Sequence, residues 1–390
     1  MIFTATKQSP SKTVAVFLDW YEPRFLNGIA LLAKERNWAL LFDYAQAHKW
    51  SAVPLRVDGL ISLIGPDPKA AEFLGKMRVP TVALTYSDEG LLEGCPRVLM
   101  DEVACGRMAG EYFLSLGFEN FLSIGKKGRT FFRERIQGFE EAVGNRAKII
   151  ETAWIGESLS HKSLRGPIEE ALKKIPKPVA IFAPSDVTCV HVMRCAMELG
   201  FQIPDEVAIL GVNNEELICE YAPVPLASIA LNFQKVGYEG ALLLDQIISG
   251  QKPKTPVKLI PPIGVVSRQS ANTIAVPDVR VTKALRFIWG NLARTLPVEE
   301  IAAHVGISQP KLAGLFAQHL RRTVVEEIAR GRIEKAKLLL TSGTLSVKEI
   351  ALACGFSSPN YFNNVFHKAS GVTPRKFRVS REKKERPEGN

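Results

Sequence analysis

From Thr13 onward the chain alternates short β-branched, apolar runs with stretches whose apolar residues recur at helical spacing. TVAVFL is followed by a helical pattern from Pro23 to Arg36, then come WALLFDY, DGLISLI, a helix near 67–77 and TVALTY. A second set follows: a helix from Glu102 to Leu116, NFLSIG, a helix around Phe131 to Val143, AKIIET, a helix near Leu164 to Lys174, VAIFAP, a helix from Val187 to Leu199, and EVAILGV. Apolar runs of this length separated by amphipathic helices predict parallel sheets covered by helices on both faces. Two such sets predict two lobes. Gly117-Phe118 and the segment around Ile229 to Phe233 are the candidate crossings, and the helix from Gln234 to Ser249 is expected to return to the first lobe.

The last third has a different rhythm. Val347 to Ala353 is a short helix with Ser346 before it and Glu349 three residues on, the spacing of a capping box. Cys354-Gly355-Phe356 makes a turn, and a second helix follows, capped by Ser357 or Ser358 and started by Pro359, with Tyr361, Phe362, Val365 and Phe366 at helical spacing. Asn360, Asn363, Asn364, His367 and Lys368 fall on the opposite side, an amide-rich, basic face that suits the major groove. The same order of helix, glycine and serine-capped helix occurs between Thr295 and Leu320, with Ser308, Gln309 and Lys311 at the start of its second helix. Gly306 and Gly355 are 49 residues apart, and Glu326 to Leu340 reads as one helix between the motifs. Two helix-turn-helix units on a stiff connector match successive major grooves of DNA.

Charge divides the chain at the same place. Residues 278–390 hold 20 Lys and Arg against 10 Asp and Glu, whereas the preceding residues hold 30 of each. An excess of positive charge confined to one domain is the footprint of phosphate binding. The mean hydropathy of +0.03 is that of a soluble chain, and no apolar run is long enough for a membrane span or a signal peptide, so the expected location is the cytoplasm. Six cysteines lack zinc or C-x-x-C spacing, so neither a metal nor another cofactor is expected.

Ligands of open α/β sheets lie beyond the carboxyl ends of strands. The residues there are Asp19, Trp20 and Tyr21, then Lys126 through Arg135 with Arg133 inside that stretch, then Ser185-Asp186 and Asn213-Asn214, with Asn232 at the second crossing. Rings, carboxylates, amides and arginines suit a neutral polyhydroxylated molecule, because rings cover its C–H faces while polar groups meet its hydroxyls. Each has a plainer reading: a packing aromatic, a surface ion pair for Arg135, a helix cap for Asp186.

Two resemblances rest on these residues. The segment from about Val281 to Arg378 resembles the DNA-binding domain of the AraC/XylS family at Ile350, Ala351, Gly355, Phe356, Tyr361, Phe362, Phe366, Gly371, Pro374 and Arg378, with His367 and Phe377 where Lys and Tyr are usual. The first motif departs from the family with Pro310, Ala313 and Gly314 on its reading face and Arg321 in place of glycine. R-x-x-G-F at Arg135 to Phe139, Ser185-Asp186, and G-V-N-N-E-E-L from Gly211 resemble the effector domain of LacI-type repressors and periplasmic sugar-binding proteins, which implies sugar contacts at Arg135, Asp186 and Asn213. Asn213 stands where an acid is usual. Both halves in this order resemble pentose-operon regulators, implying xylose as the leading effector.

The expected architecture is thus a two-lobed α/β effector domain over residues 1–268, a linker over 269–280, an all-α DNA-binding domain over 281–380 and a charged tail over 381–390. Expected partners are a monosaccharide, operator half-sites in adjacent major grooves, RNA polymerase and a second copy of the chain. Ser308, Gln309, Lys311, Ser358, Asn360, Tyr361, Asn363, Asn364, His367, Lys368, Arg375 and Lys376 are the expected DNA contacts, the amides reading bases while Lys368, Arg375, Lys376 and Arg378 hold phosphate. Competing readings are a regulator of another sugar, a repressor, a sugar-binding protein without DNA function, and a DNA-repair methyltransferase using Cys95 as a thiolate.

Overall fold

The computed structural model describes residues 10–18, 21–44, 56–63, 72, 78–85, 95–126, 130–152, 161–253, 255–273, 278–341 and 345–378. Twelve strands are present among them: β1 (Lys12–Leu18), β2 (Trp38–Tyr44), β3 (Gly59–Leu63), β4 (Thr81–Ala83), β5 (Arg97–Met100), β6 (Asn120–Lys126), β7 (Ala147–Thr152), β8 (Val179–Phe182), β9 (Val207–Val212), β10 (Ala227–Ala230), β11 (Val257–Ile260) and β12 (Gly264–Val266). They form two six-stranded sheets in the orders β11-β5-β4-β3-β1-β2 and β12-β10-β9-β8-β6-β7. The first is parallel throughout; in the second only β12 runs antiparallel, against β10. Val14 to Leu18 and all of β3, β8 and β9 are buried, as a sheet covered on both faces requires.

Most elements fall where the apolar periodicity puts them. The helix near 67–77 lies, apart from residue 72, outside the described residues. Four short strands, β5, β10, β11 and β12, carry too few residues to announce themselves.

The first crossing differs from expectation. Helix Glu102–Ser115 packs along helix Thr130–Val143 of the second lobe, so the chain crosses at Asp101, and Gly117 turns it into β6 within that lobe. Glycine decides this partnership. A Cβ on Gly106 would lie 1.8 Å from the Arg135 carbonyl oxygen, and one on Gly138 would lie 1.9 Å from that of Val103. Only bare backbone allows such an approach. Helix Phe233–Ile248 packs on helix Pro23–Glu35 of the first lobe in the same way, so it does return there. The remaining crossings are at Leu231-Asn232 and between β11 and β12, where the Ile263 amide donates to the Ala230 carbonyl at 2.8 Å.

Gln269–Ala271 stays on the second lobe: Ser270 Oγ accepts from the Ala227 amide at 2.9 Å and donates to the Ile209 carbonyl at 2.7 Å. Among the described residues from 279 on, helices Val279–Gly290, Val298–Val305, Gln309–Leu320, Val324–Thr341, Val347–Ala353 and Pro359–Ser370 follow, with a further helical stretch over 374–378. The buried apolar residues of the first three, with Val324 and Ile328, join the continuous cluster that runs through the effector domain. Ile333, Ala336 and Leu340 of the connector pack instead with Ile350, Phe356, Phe362 and Phe366 in a separate core.

An ion pair also joins the halves: Arg286 of helix Val279–Gly290 pairs with Asp205. Burial raises the Tyr112 phenol above its ordinary pKa, and its hydroxyl is 3.0 Å from Ser267 Oγ.

Candidate effector cleft and DNA-reading face

The carboxyl ends of β6, β8 and β9 bring Arg135, Asp186 and Asn213 onto the side of the second lobe where the crossings run. Arg135 is buried and fixed from two sides: Nε and Nη2 donate to Glu102 at 2.6 and 3.0 Å, and Nη1 donates to the Pro184 carbonyl. Glu102, also buried, starts the glycine-seamed helix, so the ion pair ties that helix to the end of β8. The sequence placed Arg135 correctly after a strand but carried no sign of Glu102, 33 residues away.

Asp186 is fully buried at the start of helix Asp186–Glu198, whose cap is Ser185. Its carboxylate accepts from Ser228 Oγ at 2.6 Å and from the Glu215 amide at 2.8 Å. Burial pushes its pKa up to about 6, against the pull of those hydrogen bonds. Its visible work is to hold the turn after β9. Asn213 and Asn214 have φ of 105° and 49°, conformations that L side chains other than Asn and Asp rarely adopt. The Asn213 amide donates to Ile229, the Asn214 amide to Ser228 Oγ, and Arg268 Nη1 donates to Asn214 Oδ1 at 2.8 Å. Strain held by so many partners is a mark of a functional turn.

The other sequence-derived positions are spread around this turn. Asp19 and Trp20 lie outside the described residues. Tyr21 is exposed, Arg133 is exposed and donates to Thr130 Oγ1, and Asn232 caps helix Phe233–Ile248 by accepting from the Lys235 amide. Sequence reasoning missed Arg24. Its Nη1 crosses between the lobes to the Asn213 carbonyl at 2.6 Å, while Nε and Nη2 donate to Glu22 at 2.8 and 2.7 Å. Burial acts to raise the Glu22 carboxyl, but the bonds and charge of Arg24 outweigh it and hold it below the ordinary value.

In the second helix-turn-helix, Ser346 Oγ accepts from the Glu349 amide at 3.2 Å and the Glu349 carboxylate accepts from the Ser346 amide at 2.7 Å, completing the capping box. Gly355 turns the chain with φ of 77°, and Ser358 caps helix Pro359–Ser370. Phe362 and Phe366 are buried, which turns Asn360, Asn364, His367 and Lys368 outward; Asn363 is half-buried and Tyr361 half-exposed over Phe356. Arg375 and Lys376 are exposed beyond the helix. Arg378, expected at phosphate, donates through Nη2 to the Leu345 carbonyl at 2.6 Å and closes the motif. In the first motif Ser308 caps helix Gln309–Leu320, with Lys311 exposed and Gln309 half-buried beside Pro310.

Burial raises the Cys95 thiol to about 11, opposite to what a thiolate nucleophile needs. Among the described residues no cluster of three His, Cys, Asp or Glu could hold a metal, and no helix is long and apolar enough to cross a membrane.

Comparison with known proteins agrees with this geometry. A periplasmic binding protein-like domain model matches residues 111–271, and a helix-turn-helix domain model matches residues 301–380. The xylose operon regulatory protein of Haemophilus influenzae is 28% identical over 370 residues, covering 92% of this chain and 95% of that protein. Its Escherichia coli K12 namesake is 28% identical over 82% of this chain and 83% of its own length. The solved structure of a xylose-binding transcription activator superposes with a TM-score of 0.60 at 24% identity, covering 95% of this chain and 98% of that one.

Proposed function

We propose, from the premise that this chain is a XylR-like transcriptional regulator of the AraC/XylS family with a periplasmic-binding-protein-like effector domain, that a captured sugar changes its hold on DNA. Xylose leads the candidates, because the relatives that span both halves carry it in their names. The protein works in the cytoplasm as a homodimer and acts as an activator that contacts RNA polymerase. The sugar lies between the lobes of residues 1–268, against Asp19, Trp20, Tyr21, Arg133, Arg135, Asp186, Asn213 and Asn232. The stretch between Ala271, which stays on the second lobe, and helix Val279–Gly290 links this domain to the DNA-binding domain. There Asn360, Asn363 and Asn364 read base edges, with Ser358, Tyr361 and His367 beside them, while Lys368, Arg375 and Lys376 hold phosphate. Ser308, Gln309 and Lys311 of the first motif meet the neighbouring groove.

The joint between the halves carries this reading. Arg286 on the first helix of the DNA-binding half is ion-paired with Asp205 of the second lobe, and the apolar core of the first motif, with Val324 and Ile328 of the connector, is continuous with that of the effector domain. Movement of the second lobe therefore has a direct mechanical route to the reading heads. A ligand shifts such an equilibrium only by its differential affinity for the two arrangements, roughly 1–3 kcal/mol in regulated proteins.

The test is binding to an operator selected from random-sequence DNA, with and without D-xylose. The expected change in affinity is about 5- to 150-fold. Equal affinity and an unchanged footprint with every sugar of a pentose and hexose panel would sink the proposal. A response to another member of the panel alone would favour a different effector, a reading that Asn213 supports because an amide there meets hydroxyls differently from an acid.

A further inference from the structure

We propose that Arg24 is a clasp between the lobes: its guanidinium, anchored on the first lobe, grips the Asn213 carbonyl of the second and so positions the cleft walls around the ligand. The ligand part of this inference rests on the reading of the cleft as a sugar site.

Two groups fix the guanidinium on its own lobe. Glu22 takes Nε and Nη2, and the face of the ion lies over the Phe233 ring, 4.1 Å from its centroid. That ring in turn meets Phe25 edge-on at 5.0 Å. Phe233 directly follows the crossing at Leu231-Asn232, so Arg24 is braced against the joint about which the lobes would move. With two nitrogens committed on its own lobe and its plane set by an aromatic face, Nη1 has one direction left, toward Asn213.

The acceptor is prepared too. The amides of residues 213, 214 and 215 all donate into the second lobe, to Ile229, Ser228 and Asp186. The positive φ of Asn213 turns its carbonyl out of the sheet and across the gap. A fork with a fixed direction meeting a carbonyl with a fixed direction is a preorganised contact, formed without further ordering. It lies within two residues of the Asp186-bound amide, so the clasp and the second-lobe wall share one support.

The experiment uses the full chain and its Arg24→Ala, Arg24→Lys and Glu22→Gln variants. Small-angle scattering without added sugar reads the lobe arrangement: Arg24→Ala should scatter as a more open particle, Glu22→Gln should shift the same way by less, and Arg24→Lys should recover part. Stopped-flow fluorescence with D-xylose reads retention. A hydrogen bond to a charged group corresponds to about 10- to 100-fold faster release in Arg24→Ala, with the association rate nearly unchanged. A loss of folding would instead lower the bound amplitude. Arg24 is about one-third exposed, so the fold should tolerate its truncation, and thermal unfolding checks this. Identical scattering of Arg24→Ala and the unaltered chain overturns the clasp. Failure of the unaltered chain to bind D-xylose or any other sugar of the panel overturns the sugar reading, and scattering still decides the clasp.

Discussion

The two helix-turn-helix motifs repeat one plan, yet they are held in opposite ways. In the first, the turn glycine, Gly306, has open space around it, and the second helix ends on Arg321 in a left-handed conformation that glycine would adopt more readily. What holds it is external. Glu327 of the connector is fully buried and accepts from Trp289 Nε1 at 3.0 Å and from Arg330 at 2.7 and 3.0 Å. Arg322 Nε lies 2.9 Å from the same carboxylate but is not aligned to donate. Phe287 stacks on His304 at 4.1 Å, and the motif's apolar core merges with that of the effector domain. The second motif has its own capping box, the Arg378 tie and a core shared only with the connector, and its turn packs on the backbone at Leu292. Duplication therefore supplied two similar folds, and anchoring made one of them part of the body and left the other to present its face.

The largest consequence falls on Glu327. Replacing it with alanine leaves Arg330 and Arg322 without their shared counter-charge and the Trp289 N–H without an acceptor, and breaking a buried pair costs about 3–5 kcal/mol. Denaturant unfolding of Glu327→Ala should show that loss together with a lower DNA affinity, while the second motif's amides keep their exchange protection. Equal loss of protection in both motifs would erase the contrast. Next come the turn glycines. A Cβ on Gly355 would lie 2.1 Å from the Leu292 carbonyl oxygen, so Gly355→Ala adds a backbone clash to left-handed strain, about 3 kcal/mol in all. Gly306→Ala carries the strain alone, about 1 kcal/mol. Similar melting temperatures for the two variants would show that the close packing at Gly355 is easily relieved.

How much of this was legible depends on the distance between cause and effect along the chain. The capping box at Ser346, the serine-capped helix after Gly355 and the strands WALLFDY and AKIIET are set by neighbours, and each appears where its residues predict. The lobe to which helix Glu102–Ser115 belongs is set by glycines at 106 and 138 meeting a distant backbone, and periodicity does not report that. The same limit applies at the cleft. Rules about strand ends bring Arg135, Asp186 and Asn213 to one side, but Glu102, Ser228 and Arg24 join them through contacts 33, 42 and 189 residues apart. Arg378 shows the same limit, because its charge suggests phosphate and does not report the bond that its Nη2 makes to the Leu345 carbonyl 33 residues away.

The smallest expected effect bears on what each motif does once placed. On the second reading helix, Asn360 and Asn364 are exposed four residues apart on one face, the spacing at which two side chains reach successive base edges. On the first, small side chains at Ala313 and Gly314 leave Gln309 and Lys311 to approach the duplex from the helix's first turn. Asn364→Ala should therefore cost about 2 kcal/mol of discrimination between the selected operator and a single-base variant, measured as a ratio of affinities at fixed salt. Gln309→Ala should leave that ratio within about twofold, and Lys311→Ala should weaken operator and variant alike, because a phosphate contact carries no sequence information. A loss of discrimination in Gln309→Ala as large as that in Asn364→Ala would mean that the first motif reads bases despite its short side chains, and that anchoring does not separate the two roles.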